Sequence, residues 1–123
     1  MPKRDWTLSV KDILTSANKI LEYSQGMDRE AFFKDSKTYD AVLRNLEIIG
    51  EATKNVPDEV REQYANVEWK KFAGLRDIAI HKYFGINEDI LWDVVSNKIP
   101  ELRTKIAEVI DKIDAEGKIE TAT

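Results

Sequence analysis

The sequence of residues 41–52 is AVLRNLEIIGEA. Its apolar side chains recur at the three- and four-residue spacing of an α-helix, over an arc too wide for a helix that turns half its surface to water. The pattern therefore predicts a helix, from about Ser36 to Asn55, in the middle of a helical bundle. The apolar positions are Ala41, Val42, Leu43, Leu46, Ile48, Ile49 and Ala52.

The helical period continues on both sides of this segment. An amphipathic helix is predicted from about Leu8 to Ser24, and Gly26 ends it. Asp28 is predicted to cap a short helical turn that leads into the central helix. The Pro57-Asp58 pair ends the central helix and begins another short one.

Three more helices are predicted in the second half of the chain. The first covers residues 69–84 and ends at Gly85, because glycine readily adopts the left-handed conformation that commonly caps a helix C-terminus. Asn87 is a good N-cap for the second, which is predicted to end near residue 98, and Pro100 separates it from the third. The fold class is therefore all-α, an up-and-down bundle of four or five principal helices. Residues 1–115 form one domain and residues 116–123 a frayed tail.

Composition excludes several kinds of site. The 123-residue chain contains no cysteine, which excludes disulfides, thiolate zinc sites and cysteine nucleophiles. It contains one histidine, His81, which cannot supply the paired histidines of a carboxylate-bridged di-metal bundle. The net charge of −4 argues against non-specific binding to duplex nucleic acid. Since neither a targeting segment nor an apolar run of 18 residues is present, we expect a cytoplasmic protein.

Two carboxylates in the central helix allow two interpretations. Glu47 and Glu51 stand four residues apart, which could place both on one face as metal ligands. The favoured interpretation is a solvated or ion-paired face, because Arg44 and Lys54 are near in sequence.

One segment, residues 69–83, differs from the rest in charge. It carries a net charge of +3, so the rest of the chain carries −7. A local basic surface on an acidic protein suggests a partner that contains phosphates, such as RNA. The candidate RNA-binding lysines are Lys70, Lys71 and Lys82.

A helical wheel of this segment separates an inner from an outer face. Phe72, Leu75, Ile78 and Ala79 fall on the inner arc. The outer face combines polar and apolar side chains, and mixed exposed patches are typical of contacts with a partner protein. The outer polar residues are Asp77 and His81, and the interleaved apolar residues are Ala73, Ile80 and Phe84.

Arg76 and His81 suit the cleavage of a phosphodiester. An arginine stabilises charge on phosphoryl oxygens, and an imidazole moves protons at neutral pH. RNA supplies the 2′-hydroxyl nucleophile itself, so the reaction needs no metal or other cofactor. Since the reaction needs both an acid and a base, a homodimer that brings two such pairs to one cleft is the economical arrangement. The alternative is an ordinary local pair between Asp77 and His81, four residues apart on a helix surface.

The motif RDIAIHKY at residues 76–83 has the Arg-x4-His-x-Tyr pattern of the HepT-like toxins, within the HEPN group of helical ribonucleases. The resemblance extends to residues 41–52, to Trp69-Lys70 and to Gly74-Leu75, and covers about Leu8 to Ile110. It implies a metal-independent endoribonuclease that acts as a homodimer and is the toxin of a two-gene toxin–antitoxin pair.

The resemblance also implies roles for individual residues. Arg76 and His81 would be the catalytic pair, and Asp77, where relatives often carry Asn, would have a supporting role. Tyr83 would correspond to the tyrosine that a nucleotidyltransferase antitoxin adenylylates, or would simply pack at the end of its helix. Two non-catalytic alternatives stay open: a helical subunit that presents substrate to a minimal nucleotidyltransferase, and a dimeric scaffold with an inactive site.

Overall fold

The computed structural model describes residues 5–80 and 85–122, and these residues form a helical bundle. Eight α-helices and one π-helical turn follow one another along the described chain. They are α1 (Trp6–Ser24), α2 (Arg29–Lys34), α3 (Ser36–Lys54), α4 (Asp58–Gln63), α5 (Trp69–Ala73), α6 (Leu75–Ile80), α7 (Glu88–Asp93), the π-helical turn Val94–Lys98, and α8 (Ile99–Ala122). The predicted all-α bundle is confirmed.

Helix α3 lies at the centre of the packing, as its wide apolar arc predicts. It packs against α1 on one side and against α5 and α6 on the other, while α1 also packs against α8. The fully buried side chains of α1 and α3 include Val10, Ile13, Val42, Leu46 and Ile49. Each of them contributes about 1.5–3 kcal/mol by leaving water, so this apolar contact fixes the position of α3.

Four helices begin at a side chain that accepts a hydrogen bond from the backbone of the first turn. Asp28 accepts from the N–H of Ala31 at 2.8 Å, and Asn87 accepts from that of Ile90 at 3.2 Å, which confirms both predicted caps. Asp5 and Asp35 cap α1 and α3 in the same way. These bonds satisfy N–H groups that the helices leave without partners.

The single helix predicted over residues 69–84 is wrong. The chain is interrupted at Gly74, whose N–H approaches the carbonyl oxygens of Lys70 and Lys71 at 3.3 and 3.2 Å and closes α5. Glycine has a low helix propensity, so an interruption there costs little. The new helix α6 starts at Leu75, and residues 81–84 lie outside the described residues.

The predicted separation at Pro100 is also wrong, because Pro100 lies within α8. The π-helical turn immediately precedes α8. Pro100 lies in the first turn of α8, where proline is tolerated although it has no backbone N–H to donate. At the other end, α8 continues to Ala122 through the residues for which a frayed tail was predicted. Within the described chain, no helix combines the length and apolar character needed to cross a membrane.

Candidate functional site

Helix α6 carries Arg76 and lies directly against α3. The closest approach is at Gly50: a Cβ atom built there would lie 2.7 Å from the backbone nitrogen of Arg76 and 2.8 Å from its Cβ. Side-chain carbon atoms do not pack that closely, so only glycine fits. The backbone of α3 therefore fixes where Arg76 leaves α6.

The side chain of Arg76 pairs with the next residue of α3. Its Nε lies 2.5 Å from Oε1 of Glu51, and the two side chains are 41% and 50% exposed. The ion pair engages Nε, and the two terminal nitrogens of the guanidinium carry four further N–H groups. Arg76 is therefore oriented by Glu51 and keeps donors suited to the oxygens of a phosphate.

The other residues of α6 lie where the helical wheel predicts. Leu75 and Ala79 are buried, and so is Phe72 of α5. Ile78 is partly buried against the core, and Asp77 is exposed. The exposed face of α6 therefore carries Asp77 next to Arg76.

Three of the predicted site residues lie outside the described residues. They are the catalytic candidate His81, the RNA-binding candidate Lys82 and the modification candidate Tyr83. The described part of the predicted site consists of Arg76, Asp77, Lys70 and Lys71.

Lys70 and Lys71 lie in a groove that Arg76 does not line. Both line a shallow groove together with Arg61 and Trp69. Glu68 lies 3.0 Å from the ammonium of Lys71, and the hydrogen bond between them raises the pKa of Lys71 above its ordinary value. Even one continuous helix would turn these lysines about 120–140° away from Arg76, so the separation does not depend on the interruption at Gly74.

An apolar depression in the surface lies beside Asp77. It has a volume of about 260 Å³, and Asp77, Ile78, Ile86 and Ile90 line it. Ile90 is 54% exposed, one of the most exposed large apolar side chains in the described part of the chain. Its apolar lining comes from Ile78, Ile86 and Ile90, whereas the apolar residues predicted for the outer face were Ala73, Ile80 and Phe84.

Two residues of the site, Gly50 and Glu51, were not recognised from the sequence as partners of Arg76. The ion-paired interpretation of the α3 carboxylates is confirmed, since Arg44 lies 3.4 Å from Glu47. The partner of Glu51 is Arg76, however, and not a neighbour on α3. A glycine among large apolar residues in a central helix was the available signal, because it indicates the close approach of another backbone.

The chain matches the model of a known protein family. The model of the family described as ribonuclease HepT-like matches residues 13–109, which include α3, the Arg76 region and His81. The chain belongs to the HepT-like ribonuclease family.

Three curated relatives of this HepT-like protein match along almost their whole length. A protein of Methanocaldococcus jannaschii named "Putative RNase" is 46% identical over 118 residues, 96% of this chain and 98% of its own. A protein of Caldanaerobacter subterraneus with the same name is 43% identical and covers 84% of this chain and 92% of its own. The "Probable ribonuclease HepT" of Thermococcus cleftensis is 39% identical over 84% of this chain and 94% of its own. No solved structure gives a significant match.

Proposed function

We propose that this HepT-like protein is a metal-independent endoribonuclease in which Arg76 and His81 carry out the reaction. The observation that carries the proposal is the placement of Arg76. Its guanidinium is half-exposed, oriented by Glu51 and set by the close approach at Gly50. It stands five residues before the one histidine of the chain, within the part matched by the ribonuclease family.

The reaction that these groups support is an internal transesterification. The 2′-oxygen attacks the neighbouring phosphorus and gives its proton to a base, while the bond from phosphorus to the 5′-oxygen breaks. An acid supplies the proton that the leaving 5′-oxygen needs. The products are a 2′,3′-cyclic phosphate and a 5′-hydroxyl. The N–H groups of Arg76 stabilise the charge that develops on the phosphoryl oxygens.

A homodimer would supply the second imidazole. Each chain has one histidine, so two copies must meet if His81 is both the acid and the base. The apolar depression beside Asp77, with Ile90 exposed at its edge, supports a protein contact on this side of α6. In that arrangement the two motifs share one cleft.

The biological role we propose is that of a toxin in a two-gene toxin–antitoxin pair. This part rests on the motif at residues 76–83, which contains Tyr83 as well as the catalytic pair. A cognate minimal nucleotidyltransferase would be the antitoxin. Adenylylation of Tyr83 would add a nucleotide and its phosphate charge next to the RNA cleft and block it.

The test is cleavage of end-labelled single-stranded RNA by the purified protein in EDTA. We expect cleavage with cyclic-phosphate ends, and at least about a hundredfold loss of rate in His81→Ala and Arg76→Ala. Lys54→Ala, which removes an exposed cation from α3, is the control and keeps the wild-type rate. A strict requirement for a divalent metal, or full activity in His81→Ala, contradicts the proposal.

One observation favours a second candidate function. Arg76 already has an intramolecular partner in Glu51, and an ion pair of this kind also suits a purely structural arginine. The second candidate is a non-catalytic subunit that binds a minimal nucleotidyltransferase and presents its substrate. Growth on expression separates the two functions. The nuclease predicts growth arrest by the wild type and none by His81→Ala or Arg76→Ala, while the binding subunit predicts the same growth in all three.

A further inference from the structure

A small polar cavity lies between α1 and α3, beside the Arg76–Glu51 pair. We call it the Ser9 pocket. Its volume is about 230 Å³, below the roughly 300–1,000 Å³ of pockets for drug-sized ligands, so it suits a single planar ring. Its polar lining residues are Ser9 and Asp12 of α1, Arg44, Glu47 and Glu51 of α3, and Asn55, which caps the end of α3. Residues 44, 47, 51 and 55 follow one stripe along α3 and its C-cap because they are spaced by three or four positions.

Ser9 is the unusual member of this lining. The residue is 1% exposed, and among the described residues its Oγ is the one buried side-chain oxygen or nitrogen without a hydrogen-bond partner. A buried hydroxyl without a partner costs free energy. A ligand that fills the pocket and bonds to Ser9 would remove that cost.

The pocket is rich in hydrogen-bond acceptors. The carboxylate of Glu47 lies 3.4 Å from the guanidinium of Arg44, and that of Glu51 pairs with Arg76. A carboxylate accepts about four hydrogen bonds, so one ion pair does not exhaust either group. A ligand for this pocket must therefore present N–H donors.

The pocket also adjoins the candidate active site through Glu51. Glu51 lines the cavity, and its Oε1 touches Nε of Arg76. A base in the pocket would thus belong to a nucleotide next to the phosphate that Arg76 holds. The carboxylates of the lining repel phosphates, so the base enters the pocket and the backbone stays on the side of Arg76.

Resting on the proposed ribonuclease function, we infer that the Ser9 pocket binds a guanine base beside the cleaved phosphate. Guanine alone among the four RNA bases presents two adjacent N–H donors, N1–H and N2–H, which match one carboxylate. The amide of Asn55 can donate to O6. Proteins read single-stranded RNA in this way, through the Watson–Crick edge of an unstacked base.

Two other occupants fit less well. In the part of the chain that the structure describes, no group of three or more acidic or histidine side chains could hold a metal ion. A basic side chain of a partner protein would suit the carboxylates, but it would bring a positive charge next to the exposed guanidinium of Arg44. A neutral base avoids that repulsion.

The inference is tested by measuring RNA binding, so that the result does not depend on catalysis. The probes are 2′-fluoro hexamers, whose sugars lack the nucleophile: an all-uracil strand, and strands with one central guanine, adenine or cytosine. Fluorescence anisotropy with the wild-type protein is expected to show about tenfold tighter binding of the guanine strand than of the all-uracil strand. Equal affinities within a factor of two overturn the inference.

Two pocket variants and a matched control locate the preference. Glu47→Gln and Ser9→Ala are expected to bring the guanine-to-uracil ratio of affinities close to one. Glu22→Gln removes the same charge from the far end of α1, outside the lining, and keeps the ratio. Ser9→Ala also melts at the wild-type temperature or above it, since it loses a hydroxyl that has no partner. The inference is wrong if the guanine-to-uracil ratio stays at its wild-type value in both pocket variants. It is also wrong if Ser9→Ala melts at a lower temperature than the wild type.

The results separate this inference from the proposed function. If the protein cleaves ordinary RNA but binds the guanine strand no more tightly than the uracil strand, the nuclease function is supported and the guanine-binding inference is wrong. If the protein prefers the guanine strand, loses that preference in Glu47→Gln and cleaves no RNA, the guanine-binding pocket is supported and the nuclease function is wrong. A short arginine peptide serves as a further probe: if it binds and Glu47→Gln abolishes its binding while no guanine preference exists, the pocket takes a basic side chain and the inference is wrong.

Discussion

Glu51 of α3 holds Arg76 of α6 by an ion pair in which Oε1 and Nε are 2.5 Å apart. Both side chains are about half exposed, and exposed pairs stabilise folded proteins by about 0–1 kcal/mol. The pair therefore matters more for the direction of the guanidinium than for the stability of the bundle.

Replacement of Glu51 by Gln tests this role. We expect Glu51→Gln to change the free energy of unfolding by less than about 1 kcal/mol, as measured in urea. We also expect it to slow cleavage of oligouridine about ten- to a hundredfold in single-turnover assays, because the guanidinium loses its fixed direction. Glu101→Gln breaks a comparable pair with Lys105 on α8 and should leave cleavage unchanged. Equal rates for Glu51→Gln and wild type would show that Arg76 needs no positioning.

The glycine at position 50 should not tolerate even one extra methyl group. In Gly50→Ala the new Cβ would lie 2.7 Å from the backbone nitrogen of Arg76, so α3 and α6 must move apart. We expect a loss of about 1–3 kcal/mol in urea unfolding, together with reduced cleavage. Gly74→Ala is the matched control, since its Cβ would meet no atom closer than the carbonyl oxygen of Lys71 at 3.3 Å. If both variants lose the same stability, the contact at Gly50 has no special role.

The cap of α3 should make stability depend on pH in acid. The backbone N–H of Thr38 donates to Asp35 and lowers the pKa of that carboxyl below its ordinary value. Because the folded pKa is lower than the unfolded one, Asp35 stabilises the fold above about pH 4 and loses this contribution as the pH falls through the folded pKa.

Variants of Asp35 separate the cap from its charge. Asp35→Asn keeps a capping oxygen and removes the titration, so its free energy of unfolding should fall less steeply than that of wild type below about pH 4. Asp35→Ala loses the cap as well and should already be less stable at pH 7. Urea unfolding at a series of pH values measures both effects. A wild-type slope in Asp35→Asn would rule out this source of the acid sensitivity.

Trp69 should contribute to stability through its indole N–H. Nε1 donates to the carbonyl oxygen of Tyr64 at 3.0 Å, and Trp69 is buried at the start of α5. In Trp69→Phe that carbonyl keeps only its hydrogen bond from the backbone N–H of Val67, at 3.2 Å. We expect the lost bond to cost about 0.5–1.5 kcal/mol beyond the loss of ring volume. Trp92→Phe is the comparison, because Trp92 contacts Phe32 and makes no indole hydrogen bond to any described residue. A loss in Trp92→Phe as large as that in Trp69→Phe would contradict the assigned hydrogen bond.

Much of the fold could be predicted because its signals are local. The apolar period placed α1 and α3, and the capping side chains of Asp28 and Asn87 were visible from their positions before helical segments. The interruption at Gly74 and the continuity through Pro100 were not predicted. Glycine and proline weaken a helix without always ending it, and packing decides the result.

The candidate site was predictable in its motif and not in its surroundings. Arg76 was found because its spacing to His81 is visible in the sequence. Glu51 is 25 residues away, and only the packing of α6 on α3 makes it the partner of Arg76. The same holds for Lys70 and Lys71, because the groove that they line with Arg61 and Trp69 depends on the packing of separate elements.

The contact at Gly50 also limits how this site can respond when a substrate arrives. It joins main chain to main chain, so no change of rotamer can loosen it. Adjustments at Arg76 are therefore restricted to torsions of its own side chain, while its α-carbon keeps its place. Such a site meets its substrate preorganised, and little conformational entropy remains to be lost on binding.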